Sequence, residues 1–442
     1  MKRPKVRSPK RWRLENPIQT RLDNGLKILA YPRAGQHIVS AELVLDIPLN
    51  AETLQLEGTA AIVAACLTQG THGHPGVKFA ETVEGLGAVL DASAGHSGTQ
   101  ASLDVPGPNL APALALLAEA VREPALAEPD VLRERDLRLA ELDQQLANPS
   151  ARAALEYRRA LIHPRYRAAR PVGGLADCVR QITADDAQRF HRELFAPAQA
   201  TLILAGDFPA DPVALAADAF GSWTAEPAVT VAHQSPEPVD PAALLIDRPD
   251  AVQAEIRLGS FGLDRAHPGY VALQLACRAM GGTFLSRLNK VLREERGYTY
   301  GVHLVNQAMR SGGLLAMQGS FRTDVAPLAL AEAMEILDVA KTPITAAEID
   351  DAVAHALGSF PLGLATAGQV AGYVANLVYS GLDLGYPDRF LDALGSIEPE
   401  DATSVLAGLL PLESLTLVVV GKAAELEAPL RRAGWEPQVV AT

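Results

Sequence analysis

The chain has 442 residues, 48% of them hydrophobic and 21% charged, a balance that allows several domain cores and excludes a largely disordered protein. No apolar run is long enough to cross a bilayer, so no transmembrane segment is expected. The formal net charge of −13 disfavours nucleic acid as a partner and favours cationic ligands.

The charge is unevenly placed. Lys2, Arg3, Lys5, Arg7, Lys10, Arg11 and Arg13 form a basic arm whose +7 leaves the remainder at −20. No apolar stretch follows the arm, as a signal peptide requires, and Pro4 and Pro9 break the helix that a mitochondrial leader requires. The arm reads as a solvated tail, with a docking arm as the alternative. Cys66, Cys178 and Cys277 lie far apart in apolar settings expected of buried thiols, which argues against a disulfide framework or a Cys-based zinc site. A reducing compartment, the cytoplasm, is expected.

In chain order, Ile18–Leu22 and Leu26–Ala30 read as strands around the Asp23-Asn24-Gly25 turn. His37–Ile47 is a further strand, and Leu54–Gln69 a helix apolar nearly all round. The helix Phe79–Leu86, strands 88–92 and 99–105, and helices Leu110–Val121 and Pro129–Leu146 come next. A strand, Ala200–Ala205, closes this part. Residues 225–243, rich in Pro, Ala and Val, have linker composition. The order then repeats: strand 252–258, helices 269–280 and 284–296, strands 298–308 and 313–321, helices 326–337 and 345–357, and strand 415–420. Thr345-Ala346-Ala347-Glu348 has the capping-box pattern.

The closing segments match in register. Ile182, Asp186, Ala187, Thr201, Leu202 and Gly206 correspond to Ile397, Asp401, Ala402, Thr416, Leu417 and Gly421 at one offset of 215. A shared offset over a whole block indicates duplication. The chain therefore divides into the arm (1–16), a first half (17–226), a linker (227–243) and a second half (244–442), with an α+β fold in two homologous tandem halves.

The helix beginning Gly58-Thr59-Ala60-Ala61 and ending near Gly70-Thr71 resembles the inverted zinc helix of the pitrilysin, insulysin and mitochondrial-processing-peptidase family. That motif runs Gly-x-Ala-His-x-x-Glu-His. Two His at i and i+4 hold Zn²⁺ from one helix face, and the Glu is the general base. Here Ala61 and Ala65 stand at the histidine positions and Ala64 at the base, so no zinc site is expected on this helix. Glu134 and Glu141 lie two turns apart on the Pro129–Leu146 helix. Glu141 is near the place where the family's third ligand falls, and both acids read as vestigial, solvated or paired. His72, His74 and His96 read as loop histidines without partners, not ligands.

The second half carries Ser286-Arg287-Leu288 followed by Arg293-Glu294-Glu295-Arg296-Gly297-Tyr298-Thr299-Tyr300, which is similar to the family's Ser-Arg-Leu … Arg-Glu-x-x-Gly-x-x-Tyr signature. Leu285, Leu288 and Leu292 would form the helix's apolar stripe, with Tyr300 beginning a strand. The resemblance implies that Arg293 holds substrate carbonyls and Tyr300 donates to the oxyanion. Taken from the residues alone, Arg293 could pair with a neighbouring Glu and Tyr300 pack as a strand aromatic.

The resemblance further implies clam-shell halves, each a mainly antiparallel sheet with helices packed on one side. It implies a chain that is inactive alone, with no cofactor of its own. Zinc is expected in a homologous partner subunit carrying His-x-x-Glu-His, and peptides are the expected substrate, with no nucleic acid or membrane partner. The alternative is a non-catalytic scaffold or peptide-binding paralogue.

Overall fold

The computed structural model describes residues 12–441; the arm residues Lys2 to Arg11 lie outside them. The first half contributes strands β1 (Ile18–Arg21), β2 (Lys27–Pro32), β3 (Ile38–Leu45), β4 (Val89–Gly95), β5 (Gly98–Pro106) and β6 (Ala200–Gly206). The second contributes β7 (Ala243–Asp247), β8 (Gln253–Gly262), β9 (Val302–Ala308), β10 (Gly313–Arg322), β11 (Thr416–Gly421) and β12 (Gln438–Val440). Each set makes one six-stranded sheet, ordered β1-β2-β6-β3-β5-β4 and β12-β7-β11-β8-β10-β9. Apart from the outermost strand the two orders correspond. That strand betrays the duplication's limits: β1 runs antiparallel to β2, whereas β12 runs parallel to β7.

Helices α1 (Thr59–Cys66), α2 (Val77–Gly85), α3 (Leu110–Arg122), α4 (Glu128–Ala147) and α5 (Pro149–Leu161) follow the opening strands. α6 (Ala176–Val179), α7 (Ala184–Leu194) and α8 (Pro212–Phe220) complete the first half. The second half adds α9 (Tyr270–Cys277), α10 (Ala326–Leu337), α11 (Ala346–Ser359) and α12 (Ala367–Tyr379). α13 (Tyr386–Leu394), α14 (Pro399–Leu409) and α15 (Ala423–Arg432) close it. The two α+β halves are thus homologous in detail, and α7 and α14 share both ends at the offset of 215. Thr183 with Asp186 and Glu398 with Asp401 close equivalent capping boxes at their starts. Thr345 with Glu348 does the same for α11.

One face of each sheet packs on its own helices. Leu43, Leu45, Ala101 and Leu103 face Ile62, Val63, Leu114 and Leu117 in the first half; Ile256, Leu258, Leu315 and Met317 face Leu273, Leu330 and Leu406 in the second. The opposite faces are covered reciprocally. Val370, Ala371 and Val374 of α12 pack on Leu29, Val44 and Ile203 of the first sheet. Tyr157 and Leu161 of α5 pack on Leu314, Ala316 and Val418 of the second. The Tyr157 hydroxyl, fully buried, donates to the Leu315 carbonyl at 2.5 Å. Tyr157→Phe is expected to destabilise the chain by about 1 kcal/mol, the scale of one buried hydrogen bond lost. A urea midpoint unchanged from wild type would show that this inter-half bond is immaterial.

Several expected boundaries move, each for a local reason. The helix placed at 54–69 is regular only over Thr59–Cys66, because a short 3-10 turn (Leu54–Leu56) precedes Gly58, whose φ is +109°. The helix placed at 284–296 winds mainly as π-helix over Asn289–Glu295. Leu288 and Leu292 are buried there, but Leu285 is exposed and does not join the stripe. Tyr298 to Gly301 form a loop, and the strand starts at Val302. The Thr299 hydroxyl accepts from the Gly301 amide at 3.1 Å and donates to the Ser320 carbonyl of β10 at 2.7 Å, so this loop is tied to the sheet by a side chain and not by a strand ladder. Arg13, read as part of a solvated tail, instead pairs with Asp388 at 2.6 Å.

Candidate functional site

α1 is set in place from behind. The Glu52 carboxylate accepts from the Gly58 and Ala60 amides at 3.0 and 2.9 Å, capping the helix in place of a local N-cap side chain. Arg167 holds Glu52 at 2.8 Å, and Arg170 holds Glu57 at 2.6 Å, in a network almost without solvent exposure. At the far end of the family frame the Gly70-Thr71 pair is also structural. The Thr71 hydroxyl donates to Glu119 of α3, and His74 Nδ1 lies 3.0 Å from the same carboxylate. The frame therefore persists through packing and capping, independently of any metal chemistry.

The forward face of α1 opens on a cleft of about 760 Å³. Ala61 and Ala65, one turn apart, line it together with Glu134, Arg138 and Glu141 of α4 and with β4 at the edge of the sheet. Ala64 is buried away from it. The fold thus brings the metal-site positions of the sequence together, but their chemistry does not fit zinc. Alanine has no donor atom, and Glu141 is engaged by Arg138 at 2.8 Å. Arg138 also donates to the Gly173 carbonyl at 3.2 Å. Glu134 sits only 3.7 Å from Arg133, and burial pushes its carboxyl above the ordinary range. Among the described residues no group of three or more His, Cys, Asp or Glu is placed to hold a metal ion. Metal analysis of the purified chain is expected to find below about 0.1 zinc per chain, since tetrahedral zinc needs three or four protein donors; a stoichiometric value would refute this account of Ala61 and Ala65.

Two other sequence expectations need correction. His74 has an acid partner, Glu119, which sequence reading missed because the two lie 45 positions apart. His96 is no exposed loop residue: burial, then the nearby Arg158, pushes its pKa down to about 3, and Nε2 lies 3.1 Å from the Arg170 carbonyl. Of the cysteines, Cys66 and Cys277 are buried, and burial raises both thiols to about 12. Cys178 is only partly covered, on the surface side of α6.

In the second half the signature separates into scaffold and exposed groups. Arg287 grips Glu348 with Nε and Nη2, at 2.5 and 2.6 Å, and donates to the Thr342 and Pro343 carbonyls, tying the segment to the start of α11. Asn289 is buried and bonds both the N–H and the C=O of Val302, at 3.1 and 2.9 Å. At Gly281 a Cβ would come within 2.2 Å of the Leu304 amide, so only glycine lets this helix end approach β9. These residues fix the loop that carries Tyr300. Tyr300 itself is 91% exposed, so it does not pack as a strand aromatic. Arg293 lies over the Phe284 ring at 4.3 Å and near Glu294 at 3.3 Å. Phe284 and Leu285 are exposed beside it. Among the described residues none of the second half lines the α1 cleft.

Fold and site together define a duplicated, metallopeptidase-like chain whose zinc helix holds no ligand. Comparison with known families agrees: residues 28–172 match Insulinase (Peptidase family M16), and residues 181–355 match the Peptidase M16 inactive domain. The chain belongs to the pitrilysin/insulinase family and carries an inactive-type domain. It is 28% identical to an uncharacterized zinc protease of Mycobacterium tuberculosis (strain ATCC 25618 / H37Rv) over 355 residues, covering 79% of this chain and 80% of that one. An uncharacterized zinc protease of Streptomyces coelicolor is 24% identical over 404 residues, 89% of this chain and 87% of the relative. The crystal structure of a peptidase M16 inactive domain from Pseudomonas fluorescens superposes with a TM-score of 0.84 at 25% identity, over 92% of this chain and 98% of that chain. A chain of Complex III2 from Candida albicans shares the fold, with a TM-score of 0.80 at 14% identity, over 94% of this chain and 98% of that chain.

Proposed function

We propose that this chain is the non-zinc-binding subunit of a two-chain metallopeptidase, with the zinc held by a homologous partner carrying His-x-x-Glu-His. Arg293 would position the substrate main chain and Tyr300 would donate to the oxyanion. The observation that carries this reading is the state of Tyr300: a free hydroxyl, 91% exposed, on a loop pinned by buried bonds. In water such a hydroxyl gains little over its bonds to solvent. Under a covering chain it becomes a preorganised donor in a dry site. Phe284 and Leu285, both exposed beside Arg293, supply apolar surface for that cover.

The peptide would add as a strand at a sheet edge, and β4, the free edge beside the α1 cleft, has the required position. Among the described residues no helix is long and apolar enough to cross a membrane, and the cytoplasm is the compartment proposed. A second reading, a non-catalytic scaffold or peptide-binding paralogue, is favoured by the pairing of Arg293 with Glu294 and Phe284, which already occupies the guanidinium. Co-expression with a His-x-x-Glu-His homologue, followed by a peptidase assay, separates the two. Peptide hydrolysis that needs both chains supports the first; an assembled but inactive pair supports the second.

A further inference from the structure

A cavity of about 210 Å³ lies at the seam between the halves. Its basic lining is Arg158, Arg167, His96 and His233 from the first half and linker, with Arg265 and Arg310 from the second; among the described residues no Asp or Glu lines it. This is unexpected in a chain whose body is strongly acidic. Some of the charge is neutralised from behind the walls. Arg167 pairs with Glu52, and both Arg310 and His233 pair with Asp46, at 2.7 and 2.6 Å. His96 is held neutral by its burial.

Arg158 and Arg265 remain. Neither has a carboxylate within ion-pair distance among the described residues. Arg158 Nη1 donates to the Ala168 carbonyl at 3.0 Å and meets the Met309 sulfur at 3.6 Å. Arg158 lines the cavity. Burial pushes the Arg158 guanidinium down to about 10, which leaves it charged at neutral pH. Arg265 donates to Asn376 Oδ1 at 2.6 Å and is otherwise free of acids. Burial disfavours the Arg158 charge, while Arg265 is half-buried at the rim; a covered cation without a counter-charge is unfavourable unless an anion completes it.

We infer that this cavity binds a small oxyanion of the phosphate class, clamped by Arg158 from one half and Arg265 from the other. Ser97 lines the same wall as a neutral donor. The planar guanidinium fork suits an oxyanion's geometry, and the small volume excludes a folded peptide segment. A carboxylate offers related chemistry from a different source. An anion held by both halves binds the folded state only, so it raises stability by mass action.

The test titrates inorganic phosphate into the full chain by calorimetry, at ionic strength held constant with chloride, and follows Tm in parallel. Saturable binding is expected, with Tm rising by ~2 °C when phosphate is tenfold above its Kd. Arg158→Met and Arg265→Gln should each weaken phosphate by at least ~10-fold, the effect of losing a charge-assisted bond. Arg265 lies at the partly exposed rim, so its variant reports even if Arg158→Met fails to fold. Absence of saturable phosphate binding, or unchanged affinity in Arg265→Gln, overturns the inference. Equal affinity for acetate reassigns the cavity to carboxylates and overturns the phosphate assignment.

Discussion

Arg167→Met is expected to lower folding stability by about 3–5 kcal/mol, the loss found when one partner of a buried ion pair is removed. The arginine is 4% exposed and every part of its guanidinium is used. Nε reaches Glu52 at 2.8 Å, Nη1 the Pro171 carbonyl at 2.8 Å, and Nη2 the Val172 carbonyl at 2.8 Å. Methionine keeps much of the volume but strands Glu52, which also caps α1. Burial already pushes the Glu52 carboxyl upward, with Arg167 opposing that rise. Without the arginine, folded Glu52 binds a proton more readily than unfolded Glu52, so the variant should recover stability as pH falls. Urea midpoints at pH 5 and pH 7 measure both effects. Arg167→Lys should fall between, because an ammonium restores the charge without the fork. A variant as stable as wild type at pH 7 would mean that the network contributes nothing net.

In a reconstituted pair, Tyr300→Phe is expected to lower kcat by ~10²-fold or more, the effect of removing one oxyanion donor from a dry site. The change deletes one oxygen from a side chain that is 91% exposed in the free chain, so the subunit's own Tm should stay within about 0.5 °C of wild type. Arg293→Ala should raise KM as well as lower kcat, because it removes a contact to the substrate main chain made before the transition state. It also frees Phe284 from the cation above its ring. Assembly, read by size-exclusion chromatography, should survive both changes. Hydrolysis unaffected by either substitution would sink the catalytic reading and leave the scaffold.

The duplication was legible because its register is local: one offset of 215 carries α7 onto α14, and Thr201 and Gly206 onto Thr416 and Gly421. That Ala61 and Ala65 offer no donor atom is likewise read from the residues themselves. What escaped were relations between distant segments. Helices α5 and α12 were not among the expected elements, and their own periodicity does not say which sheet each covers. The Thr71–Glu119–His74 cluster spans two elements. The loop at Tyr300 escaped because alternating apolar residues predict a strand, whereas the Thr299 hydroxyl competes locally for the backbone.

The reciprocal covering by α5 and α12 also sets when the protein can fold. The second face of the first sheet stays bare until residues 367–379 have been synthesised, well after the sheet's own last strand, β6, has left the ribosome. A nascent first half therefore waits with Leu29, Val44 and Ile203 uncovered, exposed to wrong partners throughout that interval. At ~5–20 residues per second the wait lasts roughly ten to thirty seconds. Helix α12 arrives as a clasp, and the first half is not finished until much of the second has emerged.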